Sequence, residues 1–509
     1  MGGVEIELKA GISPGDASRL ARRLARVARL APPRRLVTTY FDTKDGCLAE
    51  AGIALRVRRQ SRRSLLSVKA GRAAVGGYQH ASEVECPMRG RHPDLAVLPD
   101  RPLAGEIERR LQGKPLRPRF LTDISRRTAA IAGQGGEVEV ALDRGRIVAG
   151  ERDEPVCEIE FELRGGSPEA VFACAESLLA DLPARLDLPS KASRGEALAR
   201  GRPLAGGPLA ARPVPPAPEA TAGQVFEARL ALLAPALAAN LHATLAQDAP
   251  EGPHQLRVAL RRLRVSLRLF RPILEPRAAR RMAEEARDIG RLVSPLRDAD
   301  VLVGDLILPR VDDAPLAEAL RQWWNETRHT TRRQLLQAQA TGFAIRLLGW
   351  SALGGWQRPD SRERQILNFA EVLAPGLDRL WKAVRHRGAR LAELDPEERH
   401  EFRKDLKKLR YGTEFASEAH QAKAFLSALK RLQEDLGALN DLAVLEAFAP
   451  RLADPRHRQA FEAVRAELLT GARARSDSLL GRACRHWRAL AATDPWWVPA
   501  PRGQAARNR

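Results

Sequence analysis

Charged and apolar residues alternate strictly near the start of the chain, where Glu5, Glu7 and Lys9 are interleaved with Ile6 and Leu8. Successive strand residues point to opposite faces, so the three charges share one face and the apolar pair the other. The arrangement recurs at Arg56-x-Arg58, Ser67-x-Lys69, Glu83-x-Glu85, Glu139-x-x-x-Asp143 and Glu158-x-Glu160-x-Glu162. The signs sort by segment, some acidic and others basic. A closed sheet whose interior holds a polyanion and its metal ions gives a reason for that sorting. A solvated outer face gives none, but short stretches reach it by chance, and at this level both readings stay open.

Strands are predicted over 36–41, 54–59, 65–69, 82–86, 137–142 and 156–163, divided by glycines and turn residues. Ser13-Pro14 opens a helix to about residue 30, with Leu20, Leu24 and Val27 on one side. Ser167-Pro168 opens another through Val171, Cys174, Leu178 and Leu179. Residues 1–202 therefore read as an α+β domain. Over 203–222 Pro, Gly and Ala dominate, which predicts a semi-rigid linker. Beyond it Leu, Ala and Arg repeat at helical spacing, so 223–493 reads as a separate all-α domain and 494–509 as a flexible tail.

The helical half contains an internal repeat. His254-Gln-Leu-Arg257 leads into Leu260, Arg261, Leu263 and Arg264, and His400-Glu-Phe-Arg403 leads into Leu406, Lys407, Leu409 and Arg410. Each copy is followed by an acidic segment, Leu296-Arg297-Asp298 and Leu439-Asn440-Asp441. Two copies predict a duplicated helical bundle. On a helix His254, Arg257, Arg261, Arg264 and Arg268 share one face, and Leu256, Leu260, Leu263, Leu267 and Phe270 form a packing stripe. In the second copy His400, Arg403, Lys407 and Arg410 oppose Phe402, Leu406 and Leu409. No acidic residue occurs from His254 to Arg271 to relieve the repulsion. These rows predict anion binding, with guanidinium forks matched to phosphate oxygens and histidines adding donors at lower pH. No nucleophile or metal-ligand spacing accompanies the histidines.

Composition sharpens the choice of partner. Lys and Arg number 84 against 63 Asp and Glu in 509 residues, a net charge of +21, which calls for an anionic partner. Only 5% of residues are aromatic, few for stacking bases, so nucleic acid is disfavoured, although duplex backbone binding stays open. The five cysteines are scattered without a C-x-x-C pair and read as reduced thiols of a cytoplasmic protein. No export signal is evident, and no uninterrupted apolar run approaches the ~20 residues of a membrane span. Gly71 to Gly77 lacks the Lys-Ser/Thr of a P-loop, and neither His-Glu-x-x-His nor Gly-x-Ser-x-Gly occurs.

Residues 1–202 resemble the CYTH, or triphosphate tunnel metalloenzyme, domain. The likeness lies in Glu5-x-Glu7-x-Lys9, Tyr40-Phe-Asp-Thr, Gly52-x-Ala-Leu-Arg56-x-Arg58, Ser67-Val-Lys69, Ala141-Leu-Asp143-x-Gly, Glu158-x-Glu160-x-Glu162 and Ser190-Lys191-x-x-Arg194-Gly195, in that order. The His-led helices and Asp segments of 223–493 resemble a CHAD domain, and the pairing resembles the two-domain CYTH–CHAD proteins of bacteria. The resemblance implies an eight-stranded antiparallel tunnel that binds inorganic triphosphate and a divalent metal, joined to a module that binds inorganic polyphosphate, which would associate the protein with cytoplasmic polyphosphate granules.

Within that frame Arg56, Arg58, Lys69, Arg126, Lys191 and Arg194 are expected on the phosphate oxygens, with Lys9 by the terminal or bridging oxygen. Carboxylates would repel the substrate unless a hard cation intervened, so Glu5, Glu7, Asp143, Glu158 and Glu160 read as ligands for Mg2+ or Mn2+. Glu83, Glu85, Glu139 and Glu162 come second to these. One departure stands out: where the family tends to place basic residues at i and i+2, this chain has Arg126 and Thr128, with Arg127 expected to face outward. Thiamine triphosphate hydrolysis, ATP cyclisation and a non-catalytic polyphosphate- or nucleic-acid-binding protein are the alternatives.

Overall fold

The computed structural model describes residues 3–60, 63–75, 77–133, 135–203, 206–212, 214–414, 420–448, 452 and 454–497. The chain divides into two compact units. The first comprises Met1–Leu209, Ala234–Gly252 and Leu336–Gly355, and the second Ala210–Leu233, Pro253–Leu335 and Trp356–Arg509.

In the first unit eight strands close on themselves. They are β1 (Gly3–Gly11), β2 (Arg34–Asp42), β3 (Ile53–Gln60), β4 (Arg63–Val75), β5 (Tyr78–Met88), β6 (Arg117–Gly133), β7 (Gly136–Ala149) and β8 (Arg152–Gly166). Every pairing is antiparallel, and the barrel runs β1-β5-β4-β3-β2-β6-β7-β8. The register sets charges side by side: Lys9 is opposite Glu160, Glu158 opposite Asp143, Asp143 opposite Arg126 and Lys69 opposite Glu83.

Alternation is resolved in the direction that leaves charge inside. Leu55, Val57, Leu66, Val68, Val84 and Cys86 form the outer face of β3–β5 and are buried with Leu98, Ala104, Ile107 and Leu111. The helices that cover them are α2 (Cys47–Glu50) and α3 (Arg101–Leu111). On the other side α1 (Pro14–Val27) and α4 (Glu169–Leu179) pack on β8, and α4 also covers β1 and β7. The first helix ends at Val27 and not near residue 30, its last turn giving way to extended backbone at Ala28. A short α5 (Lys191–Ala199) packs on β6, β7 and β8. The Tyr40-Phe-Asp-Thr motif is partly structural: the buried Asp42 carboxylate accepts from the backbone N–H groups of Thr43, Leu48 and Ala49, fixing the start of α2.

Further helices follow: α6 (Ala222–Ala246), α7 (Glu251–Leu269), α8 (Pro276–Ala299), α9 (Ala314–Gln337), α10 (Ala340–Ala352), α11 (Arg362–Gln365), α12 (Phe369–Gly388), α13 (Pro396–Thr413), α14 (His420–Ala447) and α15 (Pro455–Ala491). In the first unit α10 lies on α4, where a Cβ on Gly349 would stand 2.8 Å from the Phe172 ring. In the second, α12, α13, α14 and α15 pack in succession. The expected stripes form its core: Leu256, Leu260, Leu263, Leu267 and Phe270 of the first repeat and Phe402, Leu406 and Leu409 of the second are all buried.

The α6 helix has no unbroken apolar run of ~20 residues, but its 25-residue length and the mean hydropathy of 1.2 in its most apolar 18-residue window would suffice for a membrane span. Glu227, Arg229 and His242 interrupt its apolar runs, which hid it from a search for unbroken ones. With 72% of its most apolar window buried, it has the character of a core helix. In the stretch expected to be a tail, Trp497 is buried and donates to Asp378 Oδ1 at 2.8 Å, and 498–509 lie outside the described residues.

Candidate functional site

A cavity of about 890 Å³ occupies the barrel lumen, and Glu5, Glu7, Lys9, Arg56, Arg58, Lys69, Arg126, Asp143, Glu160 and Lys191 line it. Tyr40 and Phe120 stack with ring centroids 4.4 Å apart, and with Ile124, Ile147, Ala149 and Val156 they form an apolar cluster against Ala192, Leu198 and Ala199 of α5. Gly195 permits this contact, since a Cβ there would meet the Phe120 ring at 2.1 Å.

The cap of α5 aims the next two charges. Ser190 Oγ accepts from the Ser193 N–H at 3.1 Å, which sets Lys191 and Arg194 about one turn apart. Lys191 Nζ meets Asp143 Oδ2 at 2.7 Å, Glu160 Oε1 at 2.8 Å and the Glu158 carboxylate. From β6, Arg126 grips Asp143 with two bonds of 2.7 and 2.6 Å and reaches Glu160 at 2.5 Å. Arg194 is placed otherwise than expected. It is buried behind the wall, donating to Glu158 Oε2 at 2.5 Å and Glu154 Oε1 at 3.3 Å, and neither it nor Glu158 lines the cavity.

Asp143, Glu158 and Glu160 each offer a carboxylate oxygen within 4.8 Å of the others. A set of oxygen donors this close suits a hard divalent cation. Burial pushes the Glu160 carboxyl up, but Lys191 and Arg126 overrule it and hold it well below the ordinary range. The Lys191 ammonium loses solvation by burial, yet Glu160, Glu158 and Asp143 raise it above its usual value. These charges exist in a low-dielectric site only because each has its opposite.

Across the bore, Lys69 Nζ contacts Glu5 Oε2 at 2.6 Å and Glu7 Oε1 at 2.8 Å, and Lys9 Nζ donates to Glu7 Oε1 at 3.0 Å. Burial and the neighbouring Glu7 push the Glu5 carboxyl up to about 7. Glu7 is also desolvated, but Lys9 and Lys69 hold it below its ordinary value. Arg56 bonds to Glu83 Oε1 at 2.5 Å and Ser67 Oγ at 3.0 Å. Arg58 is the least compensated cation of this wall. Its nearest ion-pair partner is Glu85 at 3.6 Å, its Nε has no partner among the described residues, and burial and Arg56 lower its basicity.

Glu83, Glu85, Glu139, Glu162 and Thr128 also line the lumen, whereas Arg127 donates to Ala31 O at 3.2 Å. Arg34, Arg119 and Arg164 line it too and were not foreseen. Arg164 continues the alternation of Glu158, Glu160 and Glu162 and pairs with Glu162 and Glu139 at 2.6 and 2.7 Å. Arg34 sits opposite Arg126, visible only once the strand register is known.

A second cavity, of about 1380 Å³, lies in the second unit. All nine cationic candidates line it: His254, Arg257, Arg261, Arg264 and Arg268 from α7, and His400, Arg403, Lys407 and Arg410 from α13. Here several of the candidate cations have no carboxylate within ion-pair distance among the described residues. Among the described residues, Arg261, Arg264, Arg268, Arg403 and Lys407 make no hydrogen bond or ion pair, and Arg257 reaches Asp298 only at 4.0 Å. Burial and Arg261 push Arg257 down to about 10. Arg410 bonds to Gln433 Oε1 at 3.2 Å, and the Asn440 amide oxygen accepts from His400 Nδ1 at 2.6 Å. The two repeat aspartates, Asp298 and Asp441, are on the same wall.

Residues 3–195 match the CYTH domain and residues 228–450 the CHAD domain. The inorganic triphosphatase of Haemophilus influenzae is 31% identical over 197 residues, 38% of this chain and 54% of that protein, so the chain spans about half the length of this curated relative. Among solved structures, the CHAD domain from the plant Ricinus communis is 27% identical, with 57% of this chain and 98% of that chain covered and a TM-score of 0.45. A Hippeastrum adenylyl cyclase homologue with a dominant triphosphatase activity is 21% identical, covering 39% and 97% of the respective chains with a TM-score of 0.28.

Proposed function

This chain carries a CYTH domain followed by a CHAD domain, and from that premise we propose that it hydrolyses inorganic triphosphate in the barrel and binds inorganic polyphosphate in the helical cavity. The first half of the proposal is carried by a lumen in which Asp143 and Glu160, with Glu158 close behind them, meet a ring of cations inside a closed sheet.

Triphosphate is heavily anionic, and Arg56, Arg58, Lys69, Arg126 and Lys191 supply donors for its oxygens. Arg58, least paired, offers the first contact. Lys9 lies beside the terminal or bridging oxygen, and Arg194 acts through Glu158, which it holds in place. When bound by Glu5, Glu7, Asp143, Glu158 and Glu160, Mg2+ or Mn2+ supplies charge neutralisation and a more acidic water. The residues then work by positioning and charge stabilisation. With Mg2+ or Mn2+, the purified chain should release phosphate from triphosphate much faster than from ATP or thiamine triphosphate, and EDTA should stop it. Equal rates on all three, or release that ignores EDTA, would overturn this assignment.

The second half is carried by two rows of cations around one cavity, most of whose arginines and lysine have no carboxylate partner among the described residues. A linear chain of phosphates spans both rows and supplies the missing charge. Long-chain polyphosphate should bind with a steep salt dependence, and duplex DNA at equal phosphate concentration should not displace it. Linked in one chain, the two activities concentrate the hydrolase on polyphosphate in the cytoplasm, at granules where those form.

A further inference from the structure

Lys407 is the one ammonium among the nine candidate cations of the two rows. It lines the helical cavity from α13, and among the described residues no carboxylate lies within ion-pair distance of it. The charges that act on it most are Arg403 on its own helix, Arg257 and Arg261 on α7, and Asp441 on α14. Three are cations and one is an acid. Farther along the same wall stand His254 on α7, His400 on α13 and Asp298 on α8. Unlike the guanidinium groups around it, an ammonium gives up its proton when it is desolvated and crowded by like charge.

We propose that capture of a phosphate chain in this cavity takes up a proton at Lys407, so that the helical unit holds its anion more tightly as pH falls through neutrality. The inference rests on the anion-binding reading of the cavity and adds its regulation. Without anion, burial and then Arg403, Arg261 and Arg257 push the ammonium down to about 7. Phosphate oxygens reverse the local field, favour the charged form and raise that value. The neutral amine therefore accepts a proton from solvent as the anion arrives, becoming –NH3+ with its three donors on the phosphates. A group more basic in the complex than in the free protein makes binding tighter at low pH. The arginines cannot do this, because they remain charged throughout.

The test uses the full chain in EDTA, with long-chain polyphosphate as probe, because interior phosphates stay ionised across the range and the ligand's charge does not change. Kd should rise about tenfold between pH 7 and pH 8.5, and calorimetry in two buffers of different ionisation enthalpy should register proton uptake at pH 8. Lys407→Arg keeps a fixed charge at the position, so it should bind at least as tightly and lose both the slope and the uptake. If Lys407→Arg retains them, the proton goes elsewhere on the wall and the proposal is overturned. If wild-type protein fails to bind polyphosphate, or Arg261→Ser with Arg403→Ser leaves binding intact, the anion-binding reading itself falls.

Discussion

Glu5 and Glu7 stand two residues apart on one wall, yet their surroundings drive them in opposite directions. The raised Glu5 carboxyl is a liability that appears as pH climbs from about 4.5 to about 7, because only the folded state resists ionisation there. The depressed Glu7 carboxyl contributes stability above its unfolded value, and loses it as pH drops through the folded one. Glu5→Gln should thus leave the Tm at pH 7 unchanged or higher, while Glu7→Gln should lower stability by about 3 kcal/mol by taking the carboxylate from Lys9 and leaving Lys69 with Glu5 alone. Both should stop phosphate release, measured with triphosphate and Mg2+; turnover surviving in both would dismiss them as metal ligands. Thr128 lines the lumen beside Arg126. Thr128→Arg should add a phosphate contact and lower KM for triphosphate about tenfold, with an unchanged KM placing the substrate elsewhere in the bore. Charge positions inside the strands were legible because a period of two leaves only two faces. Arg34 was not, because its neighbour Arg126 is 92 residues away and only register brings them together.

At the scale of elements, the strands and the two basic helices were readable from periodicity, and the short helices packed on the barrel were not. α5 has nine residues and α2 four, too short for a periodic signal, and each owes its helix to a contact partner. α5 is set by the Ser190 cap, by Lys191 and Arg194 on their carboxylates, and by Gly195 against Phe120. Gly195→Val should cost about 1–3 kcal/mol through overpacking and lower kcat by displacing Lys191. Calorimetry and phosphate release on one preparation check this, and an unshifted Tm with full activity would mean that α5 does not seat on that ring. The buried stripe of α7 and α13 appears where leucine spacing put it, while the function of the opposite face rests on what it lacks.

Across the whole molecule the two cavities handle charge by contrary means. Among the described residues nearly every cation in the barrel has a carboxylate, while Arg261, Arg264, Arg268, Arg403 and Lys407 of the helical cavity have none, and a net charge of +21 gives no surplus of acids from which to supply them. Polyphosphate should therefore raise the Tm of the full chain in EDTA, by mass action on the folded state, and 1 M NaCl should erase most of that gain. A Tm indifferent to polyphosphate would deny the cavity its ligand. The boundary between units was the least legible feature. Residues 234–252 and 336–355 group with the barrel, yet their Leu- and Ala-rich composition matches the surrounding helices, and composition was the only guide.

The cation-rich faces of α7 and α13 also bear on how long the protein lasts. Helices that repel one another part more often, and each opening offers a protease arginine-rich backbone to cut. Trypsin should digest this region rapidly in phosphate-poor buffer and slowly once polyphosphate is added, an outcome that would tie the protein's survival to the abundance of that polymer.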